Sequence, residues 1–505
     1  MKKRFLWPFL FAAGFLVRDG LFGPATAPAA PANAPAPPPS VNTNAPPPTA
    51  TPPAAIPPGT IDPAVWGKAY PLYYQQWREV REAAQAGMSK YRGWDADDIT
   101  PDTLSEYPYL ALLLDGWGFE TEHKEPRGHA YMALARVKLP LSRIADGGVC
   151  LTCKSPFAPR LEKEMGKDYY RDSYREVLAK IPQKDQDLGV ACIDCHDPED
   201  MSLAISRELT LGKALRAMGT DPAKLGREEM RSLVCAQCHA TYDVQKNEQK
   251  ETIGLYFPWQ KGKFGKITIE DIIAQFRKDP TTAEWTQTVT GFRLPFIRHP
   301  QFELFSNDSI HWQAGAACSD CHMPLVKDDG AEIPDHRVTS PLKTDLHACG
   351  PCHDEDKGWL RQRVYDIQDR IASMEIRAGY GTATVAKLFE SVHKAQKARK
   401  HIDRKLYDQA KEYYLDAFFR TMFIGTESSM GFHNPAEAAR VLGDAIAFAG
   451  KAEGLLRQAL AQAGVAMPAK INLDLAKYFE VGGTTRVPFR GGQEVKDPFG
   501  NQERF

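Results

Sequence analysis

Two stretches in the middle of the chain decide how it folds: Cys192-Ile-Asp-Cys195-His196 and Cys235-Ala-Gln-Cys238-His239. Two further copies of the same pattern follow, Cys318-Ser-Asp-Cys321-His322 and Cys349-Gly-Pro-Cys352-His353. A fifth pair precedes them and carries lysine in place of histidine, Cys150-Leu-Thr-Cys153-Lys154. These five pairs use all ten cysteines of the 505-residue chain, so one spacing accounts for every thiol.

C-x-x-C-H is the attachment motif of c-type haem, in which two thiols bond to the porphyrin and the next histidine reaches the iron. Four complete copies predict covalently bound haem c, and five haems are expected if the lysine-bearing pair takes one as well. Paired cysteines also form zinc sites or disulfides, but neither explains a histidine directly after the second cysteine in four copies. The expected proximal iron ligands are Lys154, His196, His239, His322 and His353.

The lysine distinguishes the first pair from the others. A lysine amine normally has a pKa of about 10.4, and it binds iron only after burial and the metal have removed its proton. Histidine is the simpler ligand for a haem that only carries electrons, so Lys154 indicates a haem with a different task. The alternative is a degenerate motif whose iron takes some other ligand.

The overall composition is that of an ordinary globular protein. Charged residues make up 25% of the chain and hydrophobic residues 43%, and the net charge of −1 offers no polycationic surface for nucleic acid. A small anionic substrate remains compatible with this balance, because the local field rather than the total charge attracts it.

The N-terminus predicts export from the cytoplasm. A basic start at residues 2–4 precedes an apolar run from Phe5 to Val17, the pattern of a signal peptide over about residues 1–23. Ala25-Thr26-Ala27 offers a cleavage site, but Pro28 disfavours cleavage, so an uncleaved N-terminal anchor stays open. In both cases we expect the body of the protein in the periplasm.

The fold class expected is mainly α, a multihaem cytochrome with short helices and loops around five haems and long C-terminal helices. Residues 24–60 form a Pro/Ala-rich linker, and residues 61–355 form the five-haem catalytic region. A long-helix region that dimerises is expected over 356–465, and residues 466–505 read as an irregular tail.

Helical periodicity appears only after the last cysteine pair. Apolar residues recur at spacings of three and four from Leu360 to Met374. Further helices are expected over about 382–400 and 402–425, and Asn434-Pro435 is typical of the start of a last helix that ends near residue 464. Long helices with apolar faces often pair across a two-fold axis, which favours a homodimer.

One C-x-x-C-K motif followed by four C-x-x-C-H motifs resembles the pentahaem cytochrome c nitrite reductases. The resemblance covers roughly residues 65–465 and includes Glu125-Pro-Arg-Gly-His129, Cys153-Lys-Ser-Pro156, Glu208-Leu-Thr-Leu211, Phe257-Pro-Trp259, His299-Pro300 and Cys321-His-Met-Pro324. It implies six-electron reduction of nitrite to ammonium at the lysine-ligated haem, with four bis-histidine haems as electron relays.

The resemblance also implies three catalytic side chains on the distal face of the active haem: Arg127, Tyr242 and His299. Nitrite reduction needs a cation and a proton donor near the substrate oxygens, which these residue types supply. Each also has a simpler interpretation. Arg127 is compatible with a haem-propionate contact, Tyr242 with packing beside the third haem, and His299 with iron ligation.

Each relay haem needs a second histidine on its distal side. Family positions suggest His311, His336, His393 and His433, without showing which serves which haem. Among the other histidines, His123 and His401 are expected at the surface, and His129 and His347 at haem edges or in hydrogen bonds.

Many members of the family hold calcium near the active haem, through a glutamate before the tyrosine and a glutamine before the histidine. This chain has Thr241 and Arg298 at those positions. Calcium prefers several oxygen ligands, carboxylates above all, and a neighbouring guanidinium repels it. The resemblance to the calcium-independent branch therefore implies that calcium is absent and that Arg298 supplies the positive charge. The alternative is that Arg298 faces solvent and calcium binds through other ligands.

The expected partners are nitrite and an electron donor, either a membrane-bound quinol dehydrogenase or a soluble cytochrome. Membrane association would come through that donor or through a retained N-terminal anchor. Two other functions stay open: a non-catalytic electron-transfer cytochrome, and a reductase of hydroxylamine or sulfite.

Overall fold

The computed structural model describes residues 55–80, 90–91, 103–117, 128–132, 147–247, 249, 251–481, 484–485 and 494–500. All of them belong to the unit that runs from Pro48 to Phe505, whereas the unit Met1–Pro47 lies outside the described residues. The expectations for the signal peptide and most of the linker therefore concern residues that are not described. Helices dominate the rest, as the sequence predicted, and the strands form small hairpins.

The first described segment packs onto the haem-binding region. Its helices are α1 (Pro63–Ala69), whose N-cap Asp62 accepts a hydrogen bond from Ala64 N–H, and α2 (Pro71–Glu79). Ile56, at the end of the Pro/Ala-rich linker, is buried. Two further helices follow, α3 (Thr103–Glu106) and α4 (Tyr109–Leu113), and every residue of α4 is buried.

Short helices carry the haem-binding region: α5 (Val149–Thr152), α6 (Ala158–Met165), α7 (Asp168–Arg171), α8 (Tyr174–Leu178), α9 (Lys213–Ala217), α10 (Arg227–Ala236), α11 (Ile269–Lys278), α12 (Gln301–Ser306), α13 (Ile310–Gln313) and α14 (Cys318–His322). One-turn 3₁₀ helices lie at His129–Tyr131, Gln183–Asp185, Cys192–Asp194, Pro222–Lys224, Pro280–Thr282 and Pro341–Lys343, and a π-helical turn at Glu208–Gly212. Such brief elements are expected where cofactors take the place of part of the core.

Three antiparallel hairpins lie between these helices. They pair β1 (Asp243–Lys246) with β2 (Thr252–Tyr256), β3 (Trp285–Thr286) with β4 (Arg293–Leu294), and β5 (Leu325–Asp328) with β6 (Ala331–Pro334). In the first hairpin Asp243 faces Tyr256 across the ladder, and a bulge follows at Gln245 and Lys246. The β1 strand begins directly after Tyr242, so this hairpin carries one of the candidate catalytic residues.

Three long helices follow the last cysteine pair: α15 (Lys357–Lys397), α16 (Arg404–Gly425) and α17 (Pro435–Gln462). Asn434 caps the last helix, whose start the sequence predicted at Asn434-Pro435, and Asp403 caps α16 in the same way. The first is one continuous helix of 41 residues rather than two. Gly379 allows Tyr109 of α4 to pack there, since a Cβ atom at Gly379 would come within 2.3 Å of its ring. This glycine therefore marks a close packing contact and not a break in the helix.

The C-terminal tail is more regular than the sequence suggested. It contains α18 (Ala476–Phe479) and a hairpin of β7 (Glu480–Val481) with β8 (Thr484–Thr485). Tyr478 of α18 is buried against the main core, which explains why this part of the tail is ordered. In the described part of the chain, no helix has the length and apolar character needed to span a bilayer.

Candidate haem centres and active site

The first cysteine pair lies on α5 and the turn that follows it. The Lys154 N–H donates to the Leu151 carbonyl oxygen at 2.9 Å, which continues the turn beyond Cys153. The Lys154 side chain is partly buried. Lys154 also lies near His239 of the third motif. The pKa of His239 is lowered to about 3, chiefly by burial, then by neighbouring imidazoles and finally by the positive charge of Lys154. The lysine-bearing motif and the third motif are therefore neighbours.

A buried arginine holds the backbone on both sides of Lys154. Arg207 donates from Nε to the Thr152 carbonyl oxygen at 2.6 Å and from Nη2 to the Ser155 carbonyl oxygen at 3.2 Å. Its Nη1 pairs with Asp194, which lies inside the second cysteine motif. Sequence reasoning missed Arg207, although it directly precedes the recognised segment that starts at Glu208.

The five motifs are arranged in a definite order. The side chains of Cys153 and Cys238 are close neighbours, and so are those of Cys235 and Cys318. Burial and then the neighbouring Cys349 raise the pKa of Cys321, and contact with Cys318, burial and then Cys195 raise the pKa of Cys235. The motifs therefore follow one another as first, third, fourth and fifth, with the second beside the third.

Each of the four motif histidines faces a second histidine. The ring centres are 6.3 Å apart for His196 and His336, 6.4 Å for His239 and His129, 6.2 Å for His322 and His433, and 6.5 Å for His353 and His311. A metal bound about 2 Å from one nitrogen of each imidazole places the ring centres about 6 Å apart. The described residues at these four motifs therefore fit haem irons with two histidine ligands.

Hydrogen bonds orient several of these imidazoles. The Nδ1 atom of His196 lies 3.0 Å from the carbonyl oxygen of Met201. The Nδ1 atom of His322 lies 3.0 Å from the carbonyl oxygen of Thr339, and that of His336 lies 2.8 Å from the carbonyl oxygen of Pro334. Nδ1 of His433 lies 2.6 Å from the buried Glu427 carboxylate. An Nδ1–H that donates to oxygen fixes the tautomer and leaves Nε2 to bind a metal. The secondary contacts therefore agree with the pairing of the rings.

The structure differs from the expectation for one of the four histidines proposed as distal iron ligands. His393 does not face a motif histidine: its Nε2 lies 2.9 Å from the Tyr407 hydroxyl, beside a cavity of about 640 Å³. His129, which we expected at a haem edge, takes the position opposite His239. His129 is fully buried, and burial lowers its pKa, as suits a neutral ligand. Tertiary packing brings it to a motif 110 residues later, which local sequence patterns do not reveal.

The other sequence-predicted residues are placed as follows. Arg127 and His123 lie outside the described residues. His401 is exposed, and Nε2 of His347 lies 2.9 Å from the Leu325 carbonyl oxygen. The described part of the candidate active site therefore consists of Lys154, Tyr242, His299 and the residues around them.

Tyr242 lies near the lysine-bearing motif. Its side chain is partly buried, and burial raises the pKa of its hydroxyl group, with smaller contributions from Cys153 and Cys150. The hydroxyl group is therefore protonated at neutral pH. His299 is exposed, and its backbone is in the left-handed region with φ of 51°. This conformation is unusual for a residue with a side chain and persists only where the surrounding structure holds it.

Arg298 lies between these two residues in sequence and contacts one of them directly. Its guanidinium group is 5.0 Å from the Tyr242 ring centre and 5.2 Å from that of Trp117. It forms a two-pronged ion pair with Glu284, with Nη1 2.7 Å from Oε1. Burial, followed by contact with Glu284, raises the pKa of Asp243 well above its ordinary value. Arg298 therefore points inward toward two carboxyl groups and not into solvent.

The thiol and imidazole geometry is that of a c-type cytochrome with several haems, and the family comparison agrees. Residues 62–504 match the sequence pattern of the cytochrome c552 family. This chain belongs to the cytochrome c552 family. Covalently bound haem c follows for its C-x-x-C-H motifs.

Relatives and a solved structure extend the likeness. A cytochrome c-552 of Parabacteroides distasonis is 31% identical over 78% of this chain and 76% of its own length. The cytochrome c nitrite reductase subunit NrfA of Nitratidesulfovibrio vulgaris is 32% identical over 70% of this chain and 69% of its own. The cytochrome c nitrite reductase structure from Desulfovibrio desulfuricans matches with a TM-score of 0.70 and 25% identity, over 85% of this chain and 92% of that one.

Proposed function

We propose that this cytochrome reduces nitrite to ammonium at the centre built on Lys154, with four bis-histidine haems that supply electrons. The observation that carries the proposal is the contrast among the five motifs. Four motif histidines face a second imidazole at 6.2–6.5 Å, whereas the lysine-bearing motif, which lies beside Tyr242, offers an amine in place of the histidine. Two protein imidazoles leave no ligand position for a substrate, so chemistry belongs at the lysine-bearing centre.

The reaction consumes many protons: nitrite, six electrons and eight protons give ammonium and two waters. The haem at this motif, when bound, supplies electrons and a metal that takes the nitrogen atom of nitrite. The side chains must hold the anion and deliver protons to its oxygens. Arg127 would bind the developing negative charge, and His299 would donate a proton to the departing oxygen.

Tyr242 has a separate task in this proposal. Because burial raises the pKa of its hydroxyl group, Tyr242 keeps its proton at neutral pH and can donate a hydrogen bond. The cationic Arg298 lies against its ring, which fixes the orientation of the ring beside the motif. We expect Tyr242 to act on the later, partly reduced nitrogen species.

We also propose that the enzyme works without calcium. The guanidinium group of Arg298 supplies one positive charge to two buried carboxyl groups, and it also lies 3.4 Å from the Phe296 carbonyl oxygen. A divalent ion would have to displace this guanidinium group to reach those oxygens. Thr241 adds no carboxylate to attract it.

The remaining parts of the proposal concern location and partners. The N-terminal sequence favours export to the periplasm, and the family resemblance favours a homodimer through the long helices. A membrane-bound quinol dehydrogenase or a soluble cytochrome would deliver electrons. The order of the motifs suggests that electrons pass from the fifth through the fourth and third to the first, and that the second motif joins at the third.

The decisive experiment measures ammonium formed from nitrite with a reduced viologen dye. We expect activity in the wild type and a loss of at least about 100-fold in His299→Ala, since general acid catalysis contributes about 10²–10⁴-fold. His401→Ala is a matched control, because this exposed histidine lies beyond the last cysteine motif, between α15 and α16. A wholly low-spin protein that forms no ammonium would instead be an electron-transfer cytochrome. Parallel assays with hydroxylamine and sulfite rank the substrates.

A further inference from the structure

Tyr242 and His299 lie on two segments of the chain that meet beside the lysine-bearing motif. The first segment leaves α10 through His239, and the second enters α12 after Pro300. A backbone hydrogen bond joins them, from Phe302 N–H to the His239 carbonyl oxygen at 3.0 Å. The relative position of the two candidate catalytic side chains depends on how firmly these segments are held together.

A buried side chain provides a second connection between the segments. Oε1 of Glu303 accepts a hydrogen bond from Thr241 N–H at 2.6 Å. Glu303 follows His299 by four residues, and Thr241 directly precedes Tyr242. Both Glu303 and Thr241 are fully buried, at 0% exposure. A hydrogen bond in such surroundings is costly to lose, because no water replaces the missing partner.

The surroundings of Glu303 make it an expensive residue for packing alone. Oε2 of Glu303, Oγ1 of Thr241 and Nε1 of Trp259 are buried without a hydrogen bond of normal geometry. Burial raises the pKa of Glu303 to about 8, against smaller opposite effects from backbone and side-chain donors. An apolar side chain of the same size would avoid this desolvation cost. A carboxyl group kept here therefore points to a role beyond filling space.

The backbone at His299 shows why a firm connection is needed. Its φ of 51° is a strained conformation for a residue with a side chain and persists only where the surroundings hold it. The short helix α12 begins two residues later, and Glu303 is its third residue. By holding α12 to the Tyr242 segment, Glu303 constrains the strained residue from its C-terminal side.

We propose that Glu303 is a positioning residue of the active site, which ties the Tyr242 segment to the His299 segment through the Thr241 N–H. It touches neither substrate nor haem and acts through the two side chains that do. The kinetic part of this inference rests on the proposed function, and the ligand-binding part does not.

The test compares Glu303→Gln with Glu303→Ala in the full-length holoprotein. Glutamine keeps an oxygen that can accept from Thr241 N–H, whereas alanine removes it. Tyr414→Phe is the control, because it removes a different buried hydrogen bond, that of the Tyr414 hydroxyl to Gln287 at 2.7 Å in the α16 core. Five quantities are measured: haem content, the thermal unfolding temperature, kcat for nitrite, KM for nitrite, and the affinity of the high-spin haem for cyanide.

We expect Glu303→Ala to lower kcat by about 10- to 100-fold and to weaken cyanide binding, since small misplacements of catalytic groups have effects of this size. Glu303→Gln should remain within about threefold of the wild type, because the hydrogen bond is kept. Tyr414→Phe should lower thermal stability alone. The inference is overturned if Glu303→Ala changes only thermal stability, or if Glu303→Gln falls as far as Glu303→Ala, which would make the carboxyl proton itself essential. A wild type that makes no ammonium overturns the proposed function, while the cyanide measurement still tests the positioning role.

Discussion

Arg298→Gln is the most informative single substitution. The guanidinium group of Arg298 makes a two-pronged ion pair with Glu284, and the two side chains are only 13% and 9% exposed. Glutamine has nearly the same reach but no charge. The substitution therefore leaves Glu284 and the neighbouring Asp243 as two buried carboxyl groups without a cation.

The magnitude follows from the burial of the pair. Removing one partner of a buried ion pair costs about 3–5 kcal/mol, and the residual exposure of this pair places the expected loss near about 3 kcal/mol. The loss should grow with pH. A carboxyl group whose pKa is raised in the folded protein binds its proton more tightly than in the unfolded chain, so stability falls as pH rises towards the raised pKa. Arg298 opposes the rise in the pKa of Asp243, so this pKa rises further without it, and the variant should therefore lose more stability at pH 8 than at pH 5.

Calorimetric unfolding at the two pH values, with ammonium formation measured in parallel, gives the assay. Arg404→Gln is the control, because the Arg404 side chain is 85% exposed where it pairs with Asp408, and its loss should leave the free energy of unfolding almost unchanged. The double variant Thr241→Glu/Arg298→Gln should gain activity on addition of calcium, because it restores the carboxylate and amide of the calcium-dependent members. Equal stability of Arg298→Gln and wild type at pH 8 would refute the reasoning. So would a wild type that loses activity on chelation and regains it with calcium.

Three further predictions concern the haem centres and the buried acids. His129→Ala should convert one haem from low-spin to high-spin in the electron paramagnetic resonance spectrum, whereas His393→Ala should leave the spectrum unchanged. Arg207→Met should cost about 3–5 kcal/mol, because it leaves Asp194 buried without its partner, and should alter the high-spin signal of the lysine-bearing centre. Burial raises the pKa of Glu303 from 4.5 to about 8, so the wild type should lose stability as pH rises between these values, and Glu303→Gln should remove that part of the loss.

Each of these predictions has a contrary outcome. A low-spin change in His393→Ala, with none in His129→Ala, would reverse the assignment of the third haem. A thermal transition in Arg207→Met within 1–2 °C of the wild type would mean that the pair contributes little. A decrease in stability between pH 5 and pH 8 that is equal in wild type and Glu303→Gln would place the responsible titration elsewhere.

The sequence by itself was sufficient wherever the information is local. The thiols and proximal ligands of each motif lie within five consecutive residues, so the haem attachment sites needed no fold to be recognised. The start of α17 was predicted equally well, because Asn434 acts on the first turn of its own helix. The prediction of two separate helices, with a break between residues 374 and 382, was wrong. Gly379 lies in this stretch and serves a contact with Tyr109 that periodicity does not reveal.

Tertiary structure decided everything that depends on residues far apart in the chain. His129 rather than His393 faces His239, Arg207 holds the turn at Lys154, and Glu303 reaches Thr241. The physical reason is the same in each case. A motif states which chemical groups are present, but a distal ligand or a buried hydrogen bond is selected by which surfaces pack together, and that packing is a property of the whole fold.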